Sequence, residues 1–166
     1  MSAIISPCGT YRYLLRRPAP VGPEFEQPCL GTALFVMLNP STADATADDP
    51  TVRRCKAFAY RWGCNGIAVV NLYALRSPSP ADLWRHADPV GPDNDMWLRI
   101  AAREHETVIF AWGANSKLDR VREVYAIFCG APHRRILSLG TTKDGSPRHP
   151  LYVRADQRLT NWSPAQ

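Results

Sequence analysis

The sequence predicts an α/β fold: a three-layer sandwich with a mostly parallel central sheet of about four strands. Three observations predict it. Four short, largely apolar runs, Thr32–Leu38, Ile67–Val70, Thr107–Ala111 and Arg135–Leu139, have strand length and little polar alternation. That is the pattern of strands covered on both faces. Stretches with helical apolar spacing lie between them. The chain has 166 residues, 45% hydrophobic and 21% charged, which suits one globular domain over residues 1–166.

The elements follow in order. Gly9–Arg17 alternates weakly and ends in two Arg, which reads as an edge strand. Pro18–Pro28 holds prolines at 18, 20, 23 and 28 and reads as a loop that returns the next segment beside that strand. Thr32–Leu38 is the first buried strand, and Asn39–Pro50 is a polar loop. Thr51–Trp62 places Val52, Cys55, Phe58 and Ala59 at helical spacing, with Asp48 or Asp49 as its cap and Gly63 as its stop. Ile67–Val70 is the second buried strand. Pro80–His86 reads as a short helix. Asn94–His105 reads as a longer one, with Met96, Trp97, Ile100 and Ala101 on its apolar face. Thr107–Ala111 is the third buried strand. Leu118–Phe128 is a helix whose stripe is Val121, Val124, Tyr125 and Phe128. Arg135–Leu139 is the fourth strand. The tail is mostly loop, with a short strand or turn at Leu151–Val153.

No apolar run approaches the roughly 18–20 residues that a membrane span needs, and Met1–Pro7 lacks the features of a signal peptide. Five cysteines, at 8, 29, 55, 64 and 129, are odd in number and form no C-x-x-C. They read as reduced thiols of a cytoplasmic protein, not as a disulfide framework or a zinc site. The formal charge is +5. It permits an anionic partner, nucleic acid or nucleotide, without requiring one.

In a parallel sheet, ligands bind beyond the carboxyl ends of the strands. The residues there are Asn39-Pro40-Ser41-Thr42-Ala43-Asp44, Asn71-Leu72-Tyr73, Trp112-Gly113-Ala114-Asn115 and the stretch through Arg148-His149-Pro150. They form a polar and aromatic rim with few core duties. Asn39 before Pro40 opens a turn or orients a water. Asn71 follows an apolar strand directly, and its amide offers a donor and an acceptor suited to a pyrimidine edge. His149 is a surface residue or a donor to a developing anion. Tyr73 and Trp112 pack in the core or stack on a base. Arg53, Arg54 and Arg76 are phosphate candidates, with a solvated helix face as the plainer reading of the first two. Asp44, Asp48 and Asp49 read as a solvated loop with one cap ahead of a Mg²⁺ site, and neither metal nor cofactor is expected. Thr51 and Asn94 are weaker candidates, with capping as the alternative.

These residues carry a resemblance. Cys8–Tyr13, Met37–Asp44, Asp49–Cys55, Asn71–Ala74, Asp88–Asp95, Ala111–Gly113 and Pro147–Tyr152 are similar to a bacterial and phage family catalogued as a domain of unknown function. More remotely, the order of the pieces resembles the uracil-DNA glycosylase superfamily, which has a parallel sheet between helices. Asn39-Pro40 resembles its first motif, Asn71 its base-reading Asn, Trp112-Gly113 a strand end found in one branch, and His149-Pro150 its last motif. The resemblance implies that Asn39 and His149 are catalytic. Asn39 would position water and His149 would stabilise charge on a departing base. It implies that Asn71 hydrogen-bonds the base, and Pro40, Ser41, Thr42, Asp44, Tyr73, Arg76 and Trp112 are the other substrate-binding candidates of the rim. Met37-Leu38 replaces the first motif's glycine, and Leu151-Tyr152 replaces a Ser-rich loop. These departures weigh against duplex DNA more than against a nucleobase or nucleotide. The expected activity is N-glycosidic hydrolysis at a nucleobase of a nucleic acid or nucleotide. The alternatives are a non-catalytic nucleobase or nucleic-acid binding module and a metal-assisted enzyme of nucleotide metabolism.

Overall fold

The computed structural model describes residues 1–18, 31–41, 46–130 and 135–164. Among the described residues the sheet is larger than expected, with seven strands, and it is mixed. The strands are β1 (Ser2–Ile5), β2 (Arg12–Pro18), β3 (Thr32–Met37), β4 (Gly66–Asn71), β5 (Thr107–Phe110), β6 (Arg135–Ser138) and β7 (Thr160–Asn161). Their spatial order is β1-β2-β4-β3-β5-β6-β7. The strands β4, β3, β5 and β6 pair in parallel, and β1, β2 and β7 add antiparallel borders.

The borders are what the sequence reading missed. Gly9–Arg17 is not an edge strand, because Ser2–Ile5 pairs outside it and β4 inside it. Nor does β3 return beside β2, since β4 lies between them. Of the prolines in that connection, Pro18 ends β2, and those at 20, 23 and 28 lie outside the described residues. Leu151–Val153, expected as a short strand or turn, falls in a turn. A 3₁₀ turn covers Pro150–Tyr152, and the last strand falls further on at β7.

Alternation along each inner strand feeds two cores. Leu34, Val36, Ala68, Val70, Val108 and Phe110 face one side, and Ala33, Phe35, Met37, Ile67, Val69 and Ile109 face the other. Helix α1 (Pro50–Arg61) covers the second side with Val52, Cys55, Phe58 and Ala59. Asp49 caps it, its side chain accepting the Val52 N–H at 2.8 Å. Gly63, at φ 73°, supplies the left-handed residue that stops it. The first side is covered by α2 (Asn94–Glu104) and α3 (Leu118–Cys129). The buried stripe of α2 is Leu98, Ala101 and Ala102, rotated from the expected face, and Met96 is exposed. The stripe of α3 buries Val121, Val124 and Phe128, with Tyr125 only partly covered. Pro80–Trp84 is a 3₁₀ turn.

The two-sided packing decides where a ligand can enter. After β3 the chain crosses to β4 through α1 on one face, and after β5 it crosses to β6 through α3 on the other. The loops leaving β3 and β5 therefore part in opposite directions. This is a topological switch point, and a crevice opens beyond the strand ends there.

Candidate functional site

A cleft of about 500 Å³ occupies that crevice. Its walls come from the ends of β3, β4 and β5, the start of α1, and the segment after β6. Asn39, Ser41, Asn71, Trp112 and His149 line it, together with Asp49 and Arg12.

Asn71 is the last residue of β4 and is 1% exposed. Both its Oδ1 and its Nδ2 are buried with no hydrogen-bond partner. A buried amide without partners is uncommon and costs stability, about 1–3 kcal/mol for an unmet group. Its backbone, by contrast, is tightly held. The Asn94 Nδ2 donates to the carbonyls of Asn71 and Leu72 at 3.1 Å each. The Arg120 Nε donates to the Leu72 carbonyl at 2.9 Å. Arg120 is in turn paired with Asp95 at 2.6 Å and Glu123 at 2.9 Å. Asn94 is thus neither a cap nor a cleft residue. It fixes the strand end that presents Asn71.

Asn39 follows β3 and is differently disposed. Its Nδ2 lies within hydrogen-bond distance of the carbonyls of Ser77 at 2.9 Å, Pro40 at 3.0 Å and Leu75 at 3.4 Å. That amide pins the β3 loop to the chain leaving β4 and leaves its Oδ1 as the group it can offer a ligand. Pro40 is buried, and its carbonyl also accepts from the Ser77 N–H at 2.9 Å.

His149 opens the 3₁₀ turn at Pro150–Tyr152, and its Nδ1 accepts the Leu151 N–H at 3.3 Å. That bond requires the tautomer with hydrogen on Nε2, so the ring can donate from Nε2. Burial holds its pKa below the ordinary 6.5, against the opposing field of the Asp49 carboxylate. A neutral donor at pH 7 results. Gly113, at φ 77°, passes close beside it, and a Cβ there would stand 3.5 Å from the His149 Cβ. Arg54 steadies the same turn, donating from Nη2 to the Val153 carbonyl at 2.7 Å and from Nε to the Pro150 carbonyl at 3.4 Å. Its guanidinium also lies over the Phe58 ring at 4.9 Å.

The acidic residues separate. Asp48 accepts from Arg17 Nε at 2.5 Å and Lys56 Nζ at 3.0 Å, away from the cleft. Burial by itself would raise its pKa, but those two cations outweigh burial and hold it below 3.8. Asp49 caps α1 and lines the cleft. Thr42 and Asp44 lie outside the described residues. Among the described residues no three His, Cys, Asp or Glu side chains gather as a metal site.

The other candidates divide between the core, the surface and the cleft wall. Tyr73 is drawn into the core under α2 and α3, 3% exposed, with its ring edge-on to Trp84 at 5.4 Å. Arg53 is exposed and donates to the Asp48 carbonyl, as a solvated helix face would have it. Arg76 faces an adjoining groove. Trp112 lines the cleft but is packed against Phe110 at 4.7 Å and Trp162 at 5.3 Å. Thr51 lines the cleft from the first turn of α1 and does not cap it.

Sequence reasoning overlooked Arg12 and undervalued Asp49. The pairing of β1 with β2 steps from Ile4 opposite Leu14 to Ile5 opposite Arg12, passing over Tyr13. Such a bulge breaks the alternation and re-aims a side chain. Arg12, 3% exposed, lines the cleft beside it. No run of residues announces a bulge. The Asp49 signal was present, because a cap at the start of a helix that follows a rim loop must face that rim.

Among the described residues no helix is long and apolar enough to cross a membrane. Cys55 and Cys64 are buried, and Cys8 and Cys129 are exposed. Cys29 lies outside the described residues. No curated protein and no solved structure matches the chain. The family described as "Protein of unknown function (DUF1643)" matches residues 12–151, from the bulge that carries Arg12 to the turn that carries His149, and the chain belongs to that family.

Proposed function

We propose that the cleft binds a nucleobase and that the protein hydrolyses its N-glycosidic bond, in the manner of the uracil-DNA glycosylase superfamily. The observation that carries this reading is the buried, unpartnered amide of Asn71 in a cleft that also holds the Nε2–H of His149. A buried donor and acceptor with no protein partner are satisfied by a ligand that offers the complementary pair. The edge of a pyrimidine or of an oxidised purine does so.

The chemistry assigns a task to each group. Water adds at C1′ as the C1′–N bond breaks, and the bonding electron pair leaves with the base. The His149 Nε2–H and the Asn71 Nδ2 donate to the base as it becomes anionic, an electrostatic stabilisation of the transition state. The Asn39 Oδ1 accepts from the attacking water and orients it. An amide cannot take the proton that this water sheds. Asp49 is the carboxylate among the described lining residues, and it takes that proton. The parallel strands between helices and the rim positions of Asn39, Asn71, Trp112 and His149 support the comparison with that superfamily.

The test is mass spectrometry of products. The protein is incubated with DNA and RNA containing uracil, xanthine, hypoxanthine or alkylated bases, and with free nucleotides. A released base is expected with wild type and is expected to disappear with Asn71→Leu and with His149→Ala. Binding of these ligands without any product would instead favour a non-catalytic base-binding module. Neither binding nor product would end the reading.

A further inference from the structure

The cleft does not end at Ser77. A second groove of about 310 Å³ shares Ser41, Ser77 and Pro78 with it and continues to Arg76, Gly9 and Thr10. Arg76 is the ionisable side chain among these described lining residues. Its guanidinium is held in place. The Nη1 donates to the Gly9 carbonyl at 3.0 Å, and the Arg76 backbone N–H donates to the Thr10 carbonyl at 2.9 Å. Its Nε is buried and has no hydrogen-bond partner. A fixed guanidinium with an unmet N–H, in a groove whose described lining holds no carboxylate, is suited to an oxyanion that accepts two parallel hydrogen bonds.

We infer that this groove is a phosphate subsite, and that the ligand of the cleft is a nucleotide unit whose phosphate is held by Arg76. The inference rests on the reading of the cleft as a nucleobase site. It adds the substrate class: a base still attached to its sugar and phosphate, not a free base or a nucleoside. The same phosphate chemistry occurs in a free nucleotide and in a strand of nucleic acid.

The experiment is calorimetric titration of wild type, Arg76→Gln and Arg76→Lys. The probes are uracil, hypoxanthine and xanthine as free bases, their nucleosides, their 5′-monophosphates, and trinucleotides with the same central bases. For wild type the expected result is that a phosphate-bearing form binds about tenfold or more tighter than its nucleoside. That increment should shrink as salt rises. Arg76→Gln should lose the increment and still bind the nucleoside, which reports that the variant is folded. Arg76→Lys should keep part of it through charge alone. Greater tightening by the trinucleotide points to a strand, and greater tightening by the monophosphate to a free nucleotide. Equal affinity for nucleoside and both phosphate forms, or an increment that survives in Arg76→Gln, overturns the subsite and leaves the base reading standing. Failure of every probe to bind wild type overturns both.

Discussion

The ends of β3 and β4 lie side by side, and each carries an asparagine into the same cleft, yet the two amides are in opposite situations. The Asn39 nitrogen is turned on its own backbone, near the carbonyls of Pro40, Leu75 and Ser77. Asn71 has neither a donor nor an acceptor partner, although its main chain is braced by Asn94 and Arg120. One side chain holds the site together. The other is held by it and left unmet. Adjacent aspartates repeat the contrast: Asp48 is locked between Arg17 and Lys56, and Asp49 faces the cleft. Residue type alone therefore does not identify a ligand group. What singles out Asn71 is a pair of buried, unsatisfied polar atoms on a residue that lines the cleft.

The sharpest way to break this comparison is the acidic pair. Arg17 is fully buried. Asp48→Ala removes the carboxylate that Arg17 and Lys56 share, and a loss of about 3–5 kcal/mol is expected in urea unfolding. Asp49→Asn keeps a capping side chain, so stability should move by only about 0.5 kcal/mol. Base release by that variant should still collapse. Equal destabilisation by both variants would erase the distinction.

Next in size is the effect of removing the ligand-facing donors. His149→Ala and Asn71→Leu should each lower the rate of base release on the order of 10²–10³-fold in single-turnover assays. Asn71→Leu should leave stability unchanged or raise it, because an unmet buried amide is exchanged for an apolar group of similar size. Asn39→Ala should do the reverse to the fold. It strips a shared donor from three carbonyls, and a loss of about 2–3 kcal/mol, or roughly 5–10 °C in Tm, should appear in thermal unfolding. An Asn71→Leu protein less stable than Asn39→Ala would contradict the assignment of the two amides.

The smallest effect is on pH dependence. The folded-state pKa of His149 is depressed from 6.5, so the unfolded chain binds its proton more readily than the folded one. Stability from this group is complete above about pH 6.5 and is lost as pH falls through the lower folded value. Asp48, depressed from 3.8, adds a second loss at more acid pH. Tm measured from pH 8 downward should therefore decline in two stages, and His149→Gln should flatten the first. Base release should fall along the same first stage, because a protonated ring can no longer accept the Leu151 N–H.

Much of the frame was legible in the chain. The runs Thr32–Leu38, Ile67–Val70 and Thr107–Ala111 announced buried strands because a strand covered on both faces has no polar side to show. Val52, Cys55, Phe58 and Ala59 announced α1 by spacing, and Asp49 announced where it starts. The positions of Asn39, Asn71 and Trp112 at or just past strand ends followed from the same pattern. The flanking strands were less legible. Ser2–Ile5 and Thr160–Asn161 are short and partly exposed, so burial imposes no pattern on them.

The sequence by itself determined that alternating strands and helices would bring polar residues to one rim, because periodicity is a local property and strand ends follow from it. Only the tertiary structure decided which of those residues are left for a ligand. Whether Asn39 is satisfied depends on Leu75 and Ser77, more than thirty residues away, and whether Arg12 enters the cleft depends on a bulge against β1. Hydrogen-bond satisfaction is set by contacts distant in the chain, and those contacts exist only after the fold has closed.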